Sequence, residues 1–152
     1  MLVFRLARKK YPVVLSGKGS ARSGNRWNSK GTEIIYCAGN RALAMAEVAV
    51  HLTIATLPGD FVMMEIFIPD NVSIEPLNVE DLPDGWNRFP HLISTQITGD
   101  DFVRSNRACI LQVPSAVVKG DYNYLINPYH PDFIKIIIQN IFDFPFDNRI
   151  FG

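Results

Sequence analysis

Metal and disulfide chemistry have little to work with in this chain: two cysteines and three histidines among 152 residues. Cys37 and Cys109 both sit in apolar runs, so they read as buried thiols in a reducing compartment, not as a disulfide framework. His51, His91 and His130 show no metal-ligand spacing and no H-E-x-x-H pattern, which counts against a catalytic metal. Net charge is also absent, with 15 basic residues against 15 acidic ones. A nucleic-acid track or an anionic membrane surface would call for an excess of Lys and Arg. No apolar run is long enough to span a bilayer. Met1-Leu2-Val3-Phe4-Arg5 meets a charge too soon for a secretory signal. No repeat, low-complexity tract or Ser/Gly linker divides the chain, so a single soluble, cytoplasmic domain over residues 1–152 is expected.

What is present is an α+β pattern. Residues 2–7, 33–38, 61–68, 107–113 and 134–138 read as strands. In the second of these, Ile34 and Tyr36 share one face and Ile35 and Cys37 the other. Asn40 is a candidate N-cap for a helix from Arg41 to about Leu57, apolar on nearly every side and hence expected to be buried. Residues 16–31 read as a glycine-rich, basic loop, and 69–100 as an irregular excursion with at most a short helix. Turns are expected at Asn127-Pro128 and His130-Pro131.

Four features fall outside ordinary core logic. Glu47 is the only acidic residue between Arg41 and Asp60, with His51 one turn further on. It is either half of a structural Glu–His or Glu–Arg pair, or a carboxylate presented to a pocket. The loop carries Lys18, Arg22, Arg26 and Trp27 among Gly17, Gly19 and Gly24. Exposed amides with a guanidinium suit a pyrophosphate, yet neither G-x-G-x-x-G nor the P-loop pattern is present. Tyr36, in an apolar strand, is a core residue or a flat face for a heterocycle. Ser115 follows a strand at Val113-Pro114 and reads first as a turn serine. The zero net charge conceals a polarity, because residues 8–30 hold seven basic side chains (Arg8, Lys9, Lys10, Lys18, Arg22, Arg26 and Lys30) and no acidic one.

Ordered blocks then suggest kinship. Gly24-Asn25-Arg26-Trp27-Asn28-Ser29-Lys30-Gly31, Ile35-Tyr36-Cys37-Ala38, Ala42–Val48 with His51, Val113-Pro114-Ser115-Ala116 and Asn123–Pro131 together resemble the RES domain, a family named for an arginine, a glutamate and a serine. Arg26, Glu47 and Ser115 match those three, and Arg5 is a second candidate for the arginine role. Asn25 departs from the glycine common at that place. The resemblance implies a fold like that of ADP-ribosyltransferases and a toxin of a RES–Xre toxin–antitoxin module. Such a toxin takes NAD+ as its substrate and needs no further cofactor. Its partner is an Xre-like helix-turn-helix antitoxin that covers the active site, with a homodimer inside the larger complex. The residues expected to contact NAD+ are Arg5, Lys18, Gly19, Arg26, Trp27, Tyr36, Glu47 and Ser115. ADP-ribosyl transfer to a protein, a non-catalytic partner-binding module and RNA cleavage are the competing readings.

Overall fold

Period-2 alternation of apolar side chains builds a seven-stranded sheet. In the computed structural model, which describes residues 1–152, its strands are β1 (Leu2–Arg8), β2 (Ile35–Ala38), β3 (Phe61–Phe67), β4 (Ile74–Pro76), β5 (Ile110–Pro114), β6 (Tyr122–Ile126) and β7 (Ile137–Asp143). Three α-helices accompany them: α1 (Lys18–Ser23), α2 (Arg41–Ala49) and α3 (Ile93–Ser105). The strand order is β4-β5-β6-β2-β1-β3-β7, and only the β4–β5 pair is parallel. The α+β expectation holds.

The pleat sorts the core onto two faces. Val3, Ile35, Cys37, Met64, Ile66, Cys109, Ile110 and Ile126 pack together on one. The opposite face carries two separate clusters. Leu43 and Ala44 of α2 pack on Phe4, Leu6, Ala38 and Met63. Phe102 of α3 packs with Trp27, Ile34, Leu111, Val113 and Leu125. Between these clusters the sheet itself parts: β1 and β2 share only the pair Phe4↔Ala38, whereas β1 and β3 pair along seven residues. Arg5 bridges the divergence, its Nη1 donating to the Tyr36 carbonyl oxygen at 2.8 Å.

The elements differ from expectation where tertiary contacts override local pattern. Residues 18–23 form α1 inside the expected loop. Ser20 fastens this helix to the sheet, since its Oγ donates to Gly17 and Ile34 carbonyls and accepts from the Ile34 N–H. Gly17 is required there because a Cβ would lie 2.8 Å from the Ile34 nitrogen. Helix α2 stops at Ala49, well short of Leu57. Thr53 and Thr56 bond to each other and start a separate 3-10 turn over Ile54–Thr56. Nor is α2 buried all round; only Leu43 and Ala44 are, because one face meets the sheet and no second layer covers the other.

The excursion at 69–100 holds β4 and most of α3, a helix of 13 residues that starts with no side-chain cap. Its buried stripe is Thr95, Gly99 and Phe102, polar and small enough to escape a hydrophobic-period reading. The expected 107–113 strand is β5, shifted to Ile110–Pro114. β6 fell in a segment with no expected strand, because Tyr122-Asn123-Tyr124 interrupts the apolar run. The isoleucine run 134–138 is split: Pro131–Lys135 is a 3-10 turn with Pro131 at its start, and β7 begins only at Ile137. No helix is long and apolar enough to cross a membrane.

Candidate active site

Over the divergence of β1 and β2 lies a cavity of about 740 Å³, a size that suits a small-molecule site. Its two sides are built by different means.

On one side stands Glu47, projected from α2. Asn40 caps this helix by accepting from the Leu43 N–H at 2.7 Å. The Asn40 amide also reaches Asp121, and the Gly39 N–H bonds to the Tyr122 carbonyl, so the helix start is tied to the β5–β6 turn. Arg41 seats the same end through an ion pair with Glu65 at 3.2 Å, its guanidinium over the Phe4 ring. Glu47 forms no ion pair, which removes the structural Glu–His and Glu–Arg readings. Instead Glu47 Oε1 accepts from Ser115 Oγ at 2.8 Å and from Asn123 Nδ2 at 2.6 Å. His51 lines the same cavity without bonding to it. Ser115 is the turn serine foreseen, its Oγ accepting from the N–H groups of Val117 and Val118. At 5% exposure it lies behind Glu47 and not on the cavity wall.

On the other side stands Arg26, in the turn that follows α1. Asn28, wholly buried, organises this turn: its amide donates to the carbonyls of Ser20, Ser29 and Thr32, and its Oδ1 accepts from the Tyr36 hydroxyl. Helix α3 braces the turn from outside. Gln96 donates to the Asn25 and Asn28 carbonyls, and Asp100 accepts from the Ser29 N–H and hydroxyl. Gly99 lets the two backbones meet, since a Cβ there would lie 1.6 Å from the Trp27 carbonyl oxygen. Arg26 Nη1 donates to the carbonyls of Trp86 and Arg88, both at 2.8 Å, which holds the segment bearing Asn87, Phe89 and His91 against the cavity. Nη2 and Nε make no protein bond, so they remain as donors for an anionic ligand.

Charges on the two sides sense each other. Burial pulls the Arg26 guanidinium below its ordinary range, and the Glu47 carboxylate, then Tyr36, oppose that. Burial and then Arg26 lower the pKa of His91. Burial raises Tyr36, so its hydroxyl stays protonated while accepting from the Trp27 N–H. Cys37 and Cys109 are buried free thiols, pushed up to about 12 and about 11 by desolvation, and neither acts as a nucleophile at neutral pH. No three His, Cys, Asp or Glu side chains converge.

Of the expected contacts, Arg5, Gly19, Arg26, Trp27, Tyr36 and Glu47 line the cavity. Trp27 does so as a core anchor, 3% exposed and packed near Trp86. Lys18 is exposed on α1, away from the lining. Sequence reasoning missed Asn123, Gln96, Gly99, Asp100 and His91. A polar Asn within an apolar strand and a Gly within a helix were the available signals for the first and third.

The chain is similar to known proteins along most of its length. A family model described as the RES domain matches residues 2–147. A protein named Prs ADP-ribosylating toxin, from Sphingobium sp. (strain YBL2), is 38% identical over 90% of this chain and 86% of its own length. Toxin Res of Photorhabdus laumondii is 35% identical over 99% of this chain and 97% of its own. Toxin Res of Pseudomonas putida is 38% identical over 90% and 92%. Among solved structures, the M. tuberculosis MbcT–MbcA toxin–antitoxin complex contains a chain that superposes with a TM-score of 0.76. That likeness covers 99% of this chain and 86% of the other at 18% identity, and so speaks to the fold alone. With a family match over residues 2–147 and relatives 35% to 38% identical over most of both chains, the chain belongs to the RES domain family.

Proposed function

We propose that the protein is the toxin of a bacterial toxin–antitoxin pair and that it depletes NAD+ by breaking the nicotinamide–ribose bond. The observation that carries this reading is the meeting of Arg26 and Glu47 in one cavity, with Glu47 Oε2 free of protein bonds. As the C1″–N bond breaks, its electron pair goes to the nicotinamide nitrogen and positive charge develops on the ribose, as in glycoside hydrolysis. A fixed carboxylate stabilises that charge and accepts from a ribose hydroxyl. The leaving group departs neutral because it begins as a pyridinium, so no general acid is required.

Arg26, through Nη2 and Nε, and Arg5, which spends only Nη1 on the protein, would hold the pyrophosphate. The Tyr36 ring would lie against the nicotinamide. Water as acceptor gives ADP-ribose and a proton; phosphate gives ADP-ribose 1″-phosphate. A cytoplasmic helix-turn-helix antitoxin of the Xre type would close the cavity.

The test is incubation of the pure protein with NAD+, with and without phosphate, followed by chromatography of the products. Nicotinamide release is expected, and the second product identifies the acceptor. Intact NAD+ under both conditions overturns the reading. A second reading, ADP-ribosyl transfer to a protein, is favoured by the relative named Prs ADP-ribosylating toxin. It requires nicotinamide release that depends on an added protein, which gains the mass of one ADP-ribose.

A further inference from the structure

A glutamate side chain has little intrinsic preference at its last torsion, which is broad and roughly two-fold. The orientation of the Glu47 carboxylate must therefore be imposed by its neighbours, and both of its donors sit on Oε1. Ser115 alone would leave the carboxylate free to pivot about that contact. Asn123 supplies the second point. It stands on β6, paired with Ala38 on one flank and Val113 on the other, so its backbone is fixed from both sides. Its amide donates at 2.6 Å, a charge-assisted bond shorter than the one from the serine. Unlike Ser115, Asn123 lies on the cavity wall. Its backbone neighbours are those that anchor α2, since the Gly39 N–H bonds to the adjacent Tyr122 carbonyl. Carboxylate and donor thus move as one body.

We infer that Asn123 is a positioning residue for the reaction, acting through Glu47: together with Ser115 it engages Oε1 and so keeps Oε2 turned to the ribose. This rests on the NAD+ reading above. The Asn123→Ala variant is expected to lose about 10- to 100-fold in kcat for nicotinamide release, the scale on which misplacement of a catalytic group is felt. KM is expected to stay within about threefold, since the pyrophosphate contacts of Arg26 and Arg5 are left in place. In a double-mutant cycle, Asn123→Ala should cost nothing further once Glu47→Ala is present. A loss that multiplies in the double variant, or a KM that rises while kcat holds, overturns the inference. Asn123→Leu keeps close to the shape, removes the donors and adds no charge beside Glu47. It provides the same kinetic test should the alanine variant fail to fold, and a kcat equal to wild type would sink the proposal. If the wild-type protein itself releases no nicotinamide, the functional reading fails separately. The contact is then judged by the side-chain amide resonances of Asn123, which must shift on Glu47→Gln; unmoved resonances overturn it.

Discussion

The Glu47 side of the cavity and the Arg26 side are assembled on opposite plans. Glu47 rides on a capped helix, and its partners come from a strand and the tight turn leading to it, so regular elements fix the carboxylate. Arg26 sits in an irregular turn organised by the buried Asn28 and braced from 60 to 71 residues away by the carbonyls of Trp86 and Arg88 and the side chains of Gln96 and Asp100. The first side is rigid through secondary structure and the second through packing. A substitution on the first should therefore disturb chemistry with little loss of fold, and one on the second should disturb both.

The largest expected effect is that of Glu47→Gln. It keeps the shape and removes the charge, and turnover should fall by about 100- to 1000-fold, the scale typical of lost transition-state electrostatics. NAD+ binding by titration and the melting temperature should stay close to wild type. A variant that still turns over at the wild-type rate removes Glu47 from the chemistry.

Next is Gly99→Ala, which forces a methyl group into the Trp27 carbonyl. A cost of about 3 kcal/mol or more is expected from such overpacking, read by denaturant unfolding, with weaker NAD+ binding as the turn shifts. An unchanged midpoint would mean that α3 does not brace the loop.

Asp100→Asn should be milder, since it trades a charged acceptor of the Ser29 bonds for a neutral one. About 1 to 2 kcal/mol is expected, with a higher KM and little change in kcat. A kcat effect without a KM effect would assign Asp100 to the Glu47 side instead.

The smallest effect is a titration. Burial and then the Arg26 charge lower the pKa of His91, so removing that charge by Arg26→Gln should raise it, as followed by NMR. The sign for stability follows. A histidine depressed in the folded state is bound by fewer protons than in the unfolded chain, so its contribution is present above the ordinary histidine range and is lost as pH falls through it. An unmoved His91 resonance would place Arg26 away from that segment.

The same contrast separates what was legible in the sequence from what was not. Strands whose apolar residues alternate or run unbroken, β1, β2 and β3, were readable, as was the Asn40 cap of α2. Helix α3 was not: its buried stripe of Thr95, Gly99 and Phe102 has only one large apolar member, and it begins at Leu92 without a capping side chain. β6 was hidden because Asn123, the residue that serves Glu47, breaks its apolar pattern. Arg26, Glu47 and Ser115 could be named from the resemblance, but that Ser115 lies behind Glu47 and off the cavity wall is encoded by no local pattern.

By itself, the sequence determined a single α+β domain, two buried thiols, a basic segment at residues 8–30 and one isolated carboxylate at Glu47. These follow from composition and from periodicities of two and 3.6 residues, which act over short range. Only the tertiary structure decided that β1 and β2 diverge, that the cavity opens there, and that Arg26 faces Glu47 across it. Those outcomes depend on contacts between residues tens of positions apart, such as Asn123 with Glu47 and Asp100 with Ser29, and their geometry exists only once the sheet has brought them together.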